Sequence, residues 1–190
     1  MVNQYKQRLV SAIQYFSKKV KYPSKTKMFK LLYFMDIEHI KETGLPITNL
    51  EYYTWEYGPV PREIWYDLKD GRNPEYFSGF VKLIPISYDE DDESSKLEFR
   101  CVKPPDMSVF TPRQIRILEK IAIIYRDAIS IEMSKISHEI NKPWSITKEQ
   151  KGMNEKIDLT IAIESSNKID QEKAKRLISE REEMIYNFPF

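Results

Sequence analysis

Asp36 and His39 lie three positions apart, a spacing that puts both on one face of a helix. With His138, about a hundred positions further on, they are the best material here for an acid–base or metal site. The favoured reading is plainer: Asp36 and His39 sit at a helix edge, hydrogen-bonded or solvated. The single cysteine, Cys101, falls in a strand-like run and reads as a small buried hydrophobe rather than a nucleophile. Alone, it can form neither an internal disulfide nor a zinc cluster. None of the five glycines has the spacing of a phosphate-cradling loop, and there is no GxSxG elbow or HExxH helix. The expectation is a protein without catalytic residues, metal ligands or cofactor.

Charge is distributed unevenly. Lys6, Arg8, Lys18, Lys19, Lys21, Lys25, Lys27 and Lys30 fall in the first thirty residues with no acid among them; Asp36 is the first carboxylate. Lys18, Lys19, Lys21, Lys25, Lys27 and Lys30 therefore make a candidate patch for nucleic-acid phosphates or an acidic partner. The blander alternative, favoured over a dedicated nucleic-acid site, is a solvated face balanced by acids elsewhere, such as the run at 89–93. Net charge is only +1, which excludes a generic polycation.

The elements that must position these residues read as mainly helical. A first helix carries Tyr5, Leu9, Ala12, Ile13, Phe16 and Val20 on one face and ends before Pro23. A second runs from Ser24 to Thr43 and closes on Gly44. Its middle, MFKLLYFMDI, is apolar nearly all round, which places it at the centre of the fold. Pro46 to Pro61 reads as a short extended piece and a rigid turn, followed by a short helix from Arg62 to Leu68 that stops at Asp70-Gly71. Strand candidates at 80–88 and 96–103 flank five consecutive acids, which belong in solvent at a hairpin tip. Thr111-Pro112-Arg113-Gln114 is a capping-box helix start, with Ile115, Leu118, Ala122 and Tyr125 on the buried face. Ser130 opens another helix, with Met133, Ile136 and Ile140 inward, broken by Pro143. The stretch 157–163 suits strand or helix, and 170–186 reads as a charged helix.

The predicted fold is mainly α (α+β): a helical domain over 1–147 with a small inserted β-hairpin and a winged-helix-like outline, and a charged helical extension over 148–190. The two helices between Thr111 and Ile140 resemble a helix-turn-helix pair. The second, however, offers no Arg, Asn or Gln before Asn141, unlike a helix that reads base edges. No run of eighteen apolar residues exists and the N-terminus lacks a signal-peptide core, so we expect a cytoplasmic protein without a membrane partner.

An ordered series of short motifs resembles a known family. Lys30-Leu31-Leu32-Tyr33-Phe34-Met35-Asp36, His39, Gly44, Pro46-Ile47-Thr48 and Trp55-Glu56-Tyr57-Gly58-Pro59-Val60 match the signature of the Panacea domain, the SocA-like antitoxins. Ser134-Lys135-Ile136-Ser137-His138 and Trp144 match its later part, so the resemblance covers about residues 5 to 147. It implies an antitoxin of a two-gene toxin–antitoxin system of bacteria or phages, binding a cognate protein toxin encoded beside it. It also implies, for at least one member, delivery of the toxin to a Clp-type protease. The alternative is a transcriptional regulator that binds operator DNA through the basic N-terminal patch. On the binding reading the candidate contact residues are Tyr33, Asp36, His39, Trp55, Tyr57, Gly58, Pro59, Arg62, Trp65 and Tyr66. Interface hot spots favour Trp, Tyr and Arg. Core packing is the stronger expectation for Trp55 and Trp144, and the odds are even for Tyr57.

Overall fold

Ser24 and Gly44 fix the central helix. In a computed structural model describing residues 4–69, 73–86, 97–139 and 142–187, α1 spans Gln4–Lys19 and α2 spans Lys25–Thr43. The Ser24 hydroxyl accepts from the Lys27 N–H at 3.3 Å, and Gly44 closes the helix in the left-handed conformation, φ +79°. Met28, Leu31, Leu32, Met35 and Ile40 of α2 are fully buried. Helix α1 covers one side of it. The others are covered by α4 (Pro112–Ile124), α5 (Ser130–Ser137) and a 3-10 turn at Leu159–Ala162.

The segment after α2 folds more regularly than its sequence suggests. Strands β1 (Tyr52–Trp55) and β2 (Gly58–Pro61) form an antiparallel hairpin closed by Glu56-Tyr57, with Trp55 opposite Gly58. Pro59 and Pro61 have no N–H to give, which suits β2 to an edge. The other edge of β1 is taken by residues far along the chain. Thr54 N donates to Glu155 O at 3.0 Å, and Ile157 N to Tyr52 O at 2.8 Å. Helix α3 (Arg62–Asp67) follows directly. A second hairpin, β3 (Val81–Pro85) with β4 (Leu97–Cys101), packs on α1, where the buried Gln14 amide donates to Lys103 O at 2.7 Å. The acidic run, the Asp70-Gly71 stop, Ile140 and Asn141 lie outside the described residues.

Helix α4 carries the expected reciprocal cap between Thr111 and Gln114. Its buried face is Ile117, Leu118, Ile121 and Ala122, with Ile115 and Tyr125 only half-buried. Pro143 does not break α5, which already ends at Ser137; it opens α6 (Pro143–Lys151) at the first-turn position where its missing N–H costs nothing.

The charged extension packs on the rest of the chain. Helix α7 (Gln171–Asn187) buries Ala174 and the Arg181 side chain. The Arg181 guanidinium donates to Tyr5 Oη at 2.7 Å and to Pro46 O at 2.9 Å. Arg181→Met keeps the stem but leaves the Pro46 carbonyl unmet, at a cost of about 2 kcal/mol. Urea unfolding of the full chain should show that loss, and amide exchange in α7 should accelerate; unchanged exchange would mean α7 is held by its apolar face alone.

Candidate functional site

The family-like motifs converge on the Trp55–Pro59 hairpin tip. Three of its backbone carbonyls are each held by a side chain from a different helix. Trp144 Nε1 of α6 donates to Trp55 O at 3.2 Å, Ser134 Oγ of α5 to Tyr57 O at 3.0 Å, and Lys30 Nζ of α2 to Pro59 O at 3.1 Å. Gly58, at φ +103°, is pressed against the same helices: a Cβ there would stand 2.7 Å from Ser137 Oγ and 2.8 Å from Lys30 Nζ. Only glycine combines that backbone angle with that approach. Together these donors hold the tip in place, and the Lys30–Pro59 bond does so in a buried setting where a carbonyl must find a partner.

What the braced tip presents is aromatic. Tyr57 is 70% exposed at its apex and Tyr66 of α3 is 59% exposed. Between them, Trp65 packs edge-on against Trp55 with centroids 4.8 Å apart, and against Tyr66 at 5.2 Å. Trp55 is half-buried and packs on the core, as expected for it, and Trp144 is buried. Arg62 lies over the Tyr53 ring, 3.4 Å from its centroid, on the outward side of β1 that also carries Trp55.

The remaining candidates are elsewhere. Asp36 is not at a helix edge but wholly buried, and both carboxylate oxygens are engaged. Oδ1 accepts from Ile47 N at 2.7 Å and Thr48 N at 3.0 Å; Oδ2 accepts from Thr48 Oγ1 at 2.5 Å and Tyr52 Oη at 2.9 Å. Asp36 thus folds the chain leaving α2 back onto the helix. His39 Nδ1 contacts Leu45 O at 2.6 Å, at the helix end, and burial lowers its pKa. His138 stacks on Trp144 with centroids 3.8 Å apart, its pKa lowered by burial and then by Lys30 and Lys148. Asp36, His39 and His138 share no hydrogen-bond partner among the described residues. Nor do three His, Cys, Asp or Glu side chains cluster as metal ligands among them. Tyr33 is buried edge-on against Tyr52, with ring centroids 5.4 Å apart.

The basic cluster is taken apart by the fold. Lys18, Lys19 and Lys21 are exposed, Lys21 in an ion pair with Asp127 at 2.7 Å, and Lys25 is half-buried. Lys27 and Lys30 are buried in α2, so the six do not form one surface. Lys27 Nζ reaches the carbonyls of Lys21, Arg126 and Ala128, tying α2 to the loop after α4. The role of Lys30, Ser134 and Trp144 in holding the hairpin was not legible from residue type. Its one signal was a lysine inside an otherwise apolar helical run, which must be buried.

Fold and site together define a mainly helical domain whose most organised surface is a braced aromatic hairpin. A family model described as antitoxin SocA-like, Panacea domain, matches residues 28–145, most of the chain. The chain belongs to that family, and with it to proteins of antitoxin role. The matched span holds every residue that braces the tip, from Lys30 to Trp144. No curated protein and no solved structure matches the chain. No helix among the described residues is long and apolar enough to cross a membrane.

Proposed function

We propose that this chain neutralises a protein toxin encoded by an adjacent gene by binding it directly in the cytoplasm, as a binding protein and not an enzyme. The observation that carries this reading is the hairpin tip held by three helices, with Tyr57 projecting beside Trp65 and Tyr66. A tip already fixed before binding loses little entropy on association. Large rigid aromatics are the side chains that anchor protein interfaces. Delivery of the bound toxin to a Clp-type protease would use the same contact. Operator-DNA binding is the weaker alternative, because Lys27 and Lys30 are withdrawn from the surface and Lys21 is paired.

Expressing the neighbouring gene alone should arrest growth, and co-expression with this chain should relieve the arrest and yield a complex that co-purifies. Toxicity without rescue or binding would refute direct neutralisation for that pair. Replacing both Tyr57 and Tyr66 by Ala should weaken the complex by roughly 2–4 kcal/mol. Both side chains are exposed, so thermal unfolding of the free chain should barely change. Calorimetry against the purified toxin gives the affinity; an unaltered value would move the contact away from the hairpin.

A further inference from the structure

Beside the hairpin tip lies a cleft of about 230 Å³ whose lining includes Lys25, Phe29, Lys30, Trp55, Glu56 and Trp65. We propose that it is a socket for a carboxylate: an aspartate or glutamate of the bound toxin, carried next to an apolar residue. This deepens the antitoxin reading and rests on it.

The case begins with Lys30. Its side chain is 1% exposed, yet its ammonium makes one hydrogen bond, to the neutral Pro59 carbonyl. No carboxylate among the described residues pairs with it. Lys27, about one helical turn earlier in the same element, shows what a structural lysine looks like, with three carbonyls for its three protons. Lys30 keeps two donors spare, an arrangement that costs stability unless something else meets the charge. A second donor is also unmatched: Trp55 Nε1 is buried without a partner. Lys25, half-buried on the same lining, adds a second positive charge. Glu56, exposed at the hairpin tip, is the one acid of the lining.

These donors sit between apolar walls formed by Phe29, Trp55, Val60 and Trp65. That combination suits a singly charged carboxylate on an apolar stem, and the low-dielectric surroundings strengthen its attraction to the ammonium. Lys30 is almost wholly covered, so contact with the carboxylate requires a side chain of the lining to shift. Burial also lowers the Lys30 pKa to about 7. Binding should therefore weaken as pH rises through that value and the ammonium is lost. Lys25 and Glu56 on the lining, Tyr33 one turn along α2 and His138 are the other titratable groups around it; burial, then Lys30 and Lys148, lower the His138 pKa.

The test titrates the free full-length chain with 3-phenylpropionate and follows the Trp55 indole N–H resonance. The expected result is a saturable shift that the amide of the same acid does not produce. Lys30→Met should abolish it. Thr26→Phe, which adds a ring to the cleft lining without removing either partner of the Lys30–Pro59 bond, should abolish it without altering thermal unfolding. Absence of a shift, equal binding of the amide, or persistence in both variants overturns the proposal. Tighter binding of phenyl phosphate also overturns it, in favour of a phosphate site. In the toxin complex, Thr26→Phe should lower affinity at least tenfold; unchanged affinity overturns the assignment of the occupant while leaving neutralisation intact. The titration needs no toxin, so failure of the socket and failure of the antitoxin reading are separately visible.

Discussion

Asp36→Ala should leave the chain largely unfolded at room temperature, whereas Asp36→Asn should fold. The alanine removes the acceptor for four donors in a fully buried site. Two of them, Ile47 N and Thr48 N, are backbone groups that cannot reorient, and each orphaned donor costs about 1–3 kcal/mol. Four orphaned donors come to about 4–12 kcal/mol before the cavity is added, comparable with a whole-domain stability of about 5–15 kcal/mol. Asparagine can keep its oxygen at the Oδ1 position for both backbone donors. Its amide then donates to Thr48 Oγ1 and Tyr52 Oη, whose hydroxyl protons rotate to allow it.

Asparagine also removes a buried charge. Burial raises the Asp36 pKa, with the hydrogen bonds from Thr48, Tyr52 and Ile47 opposing. A carboxyl whose folded pKa lies above its unfolded one holds its proton longer in the native state, so ionising it costs stability as pH rises through that window. Asp36→Asn is relieved of that cost and should lie within about 1 kcal/mol of the parent. Circular-dichroism melts of the two variants decide the matter. A folded, cooperative Asp36→Ala protein would show that the loop after α2 is held by packing rather than by this carboxylate.

Gly58→Ala carries the second large effect, and here function should suffer along with stability. The alanine meets two penalties at once: a backbone angle of +103°, and a methyl driven against Ser137 Oγ and the Lys30 terminus. The first is worth about 1–2 kcal/mol. The second is relieved only by lifting the tip off α5 or by displacing Lys30 from Pro59, and either movement undoes the bracing. Gly152 supplies the control, since it has φ +97° but nothing within 4 Å of where a Cβ would stand. Gly152→Ala should show the backbone penalty alone, and Gly58→Ala about 2 kcal/mol more. Adding Ser137→Ala to Gly58→Ala should recover part of the difference, a non-additivity expected of residues in contact. Toxin affinity should fall with Gly58→Ala and not with Gly152→Ala. Equal losses for the two glycines would show that the tip accommodates a side chain without moving.

How much of this was legible in the chain depended on how local the cause was. The ends of α2 were readable because Ser24 and Gly44 act on the backbone within a turn of where they stand. The start of α4 was readable for the same reason, through the reciprocal Thr111–Gln114 cap. The residues 46–61, read as an extended piece and a turn, form a hairpin because β1 gains a second neighbour about a hundred residues away, at 154–157. No pattern within the segment announces that partner. Pro143 was equally ambiguous: the residue that ends one helix also suits the first turn of the next, and only the stop of α5 at Ser137 separates the two.

The lysines show the same division most sharply. Counting along the chain groups Lys18 through Lys30 as one positive cluster, because sequence proximity stands in for spatial proximity. Helix α2 is surrounded by other elements, so Lys27 and Lys30 turn inward while Lys18, Lys19 and Lys21 remain in water. By itself the sequence determined the helical character, the apolar central helix, the caps and the family motifs, since periodicity and capping are short-range properties of residue type. Only the tertiary structure decided that Lys30, Ser134 and Trp144 hold one hairpin tip, and that Asp36 is a buried acceptor rather than a surface acid. Those roles come from groups distant in sequence meeting where water is excluded, and there each polar group must find its partner within the fold or from a ligand.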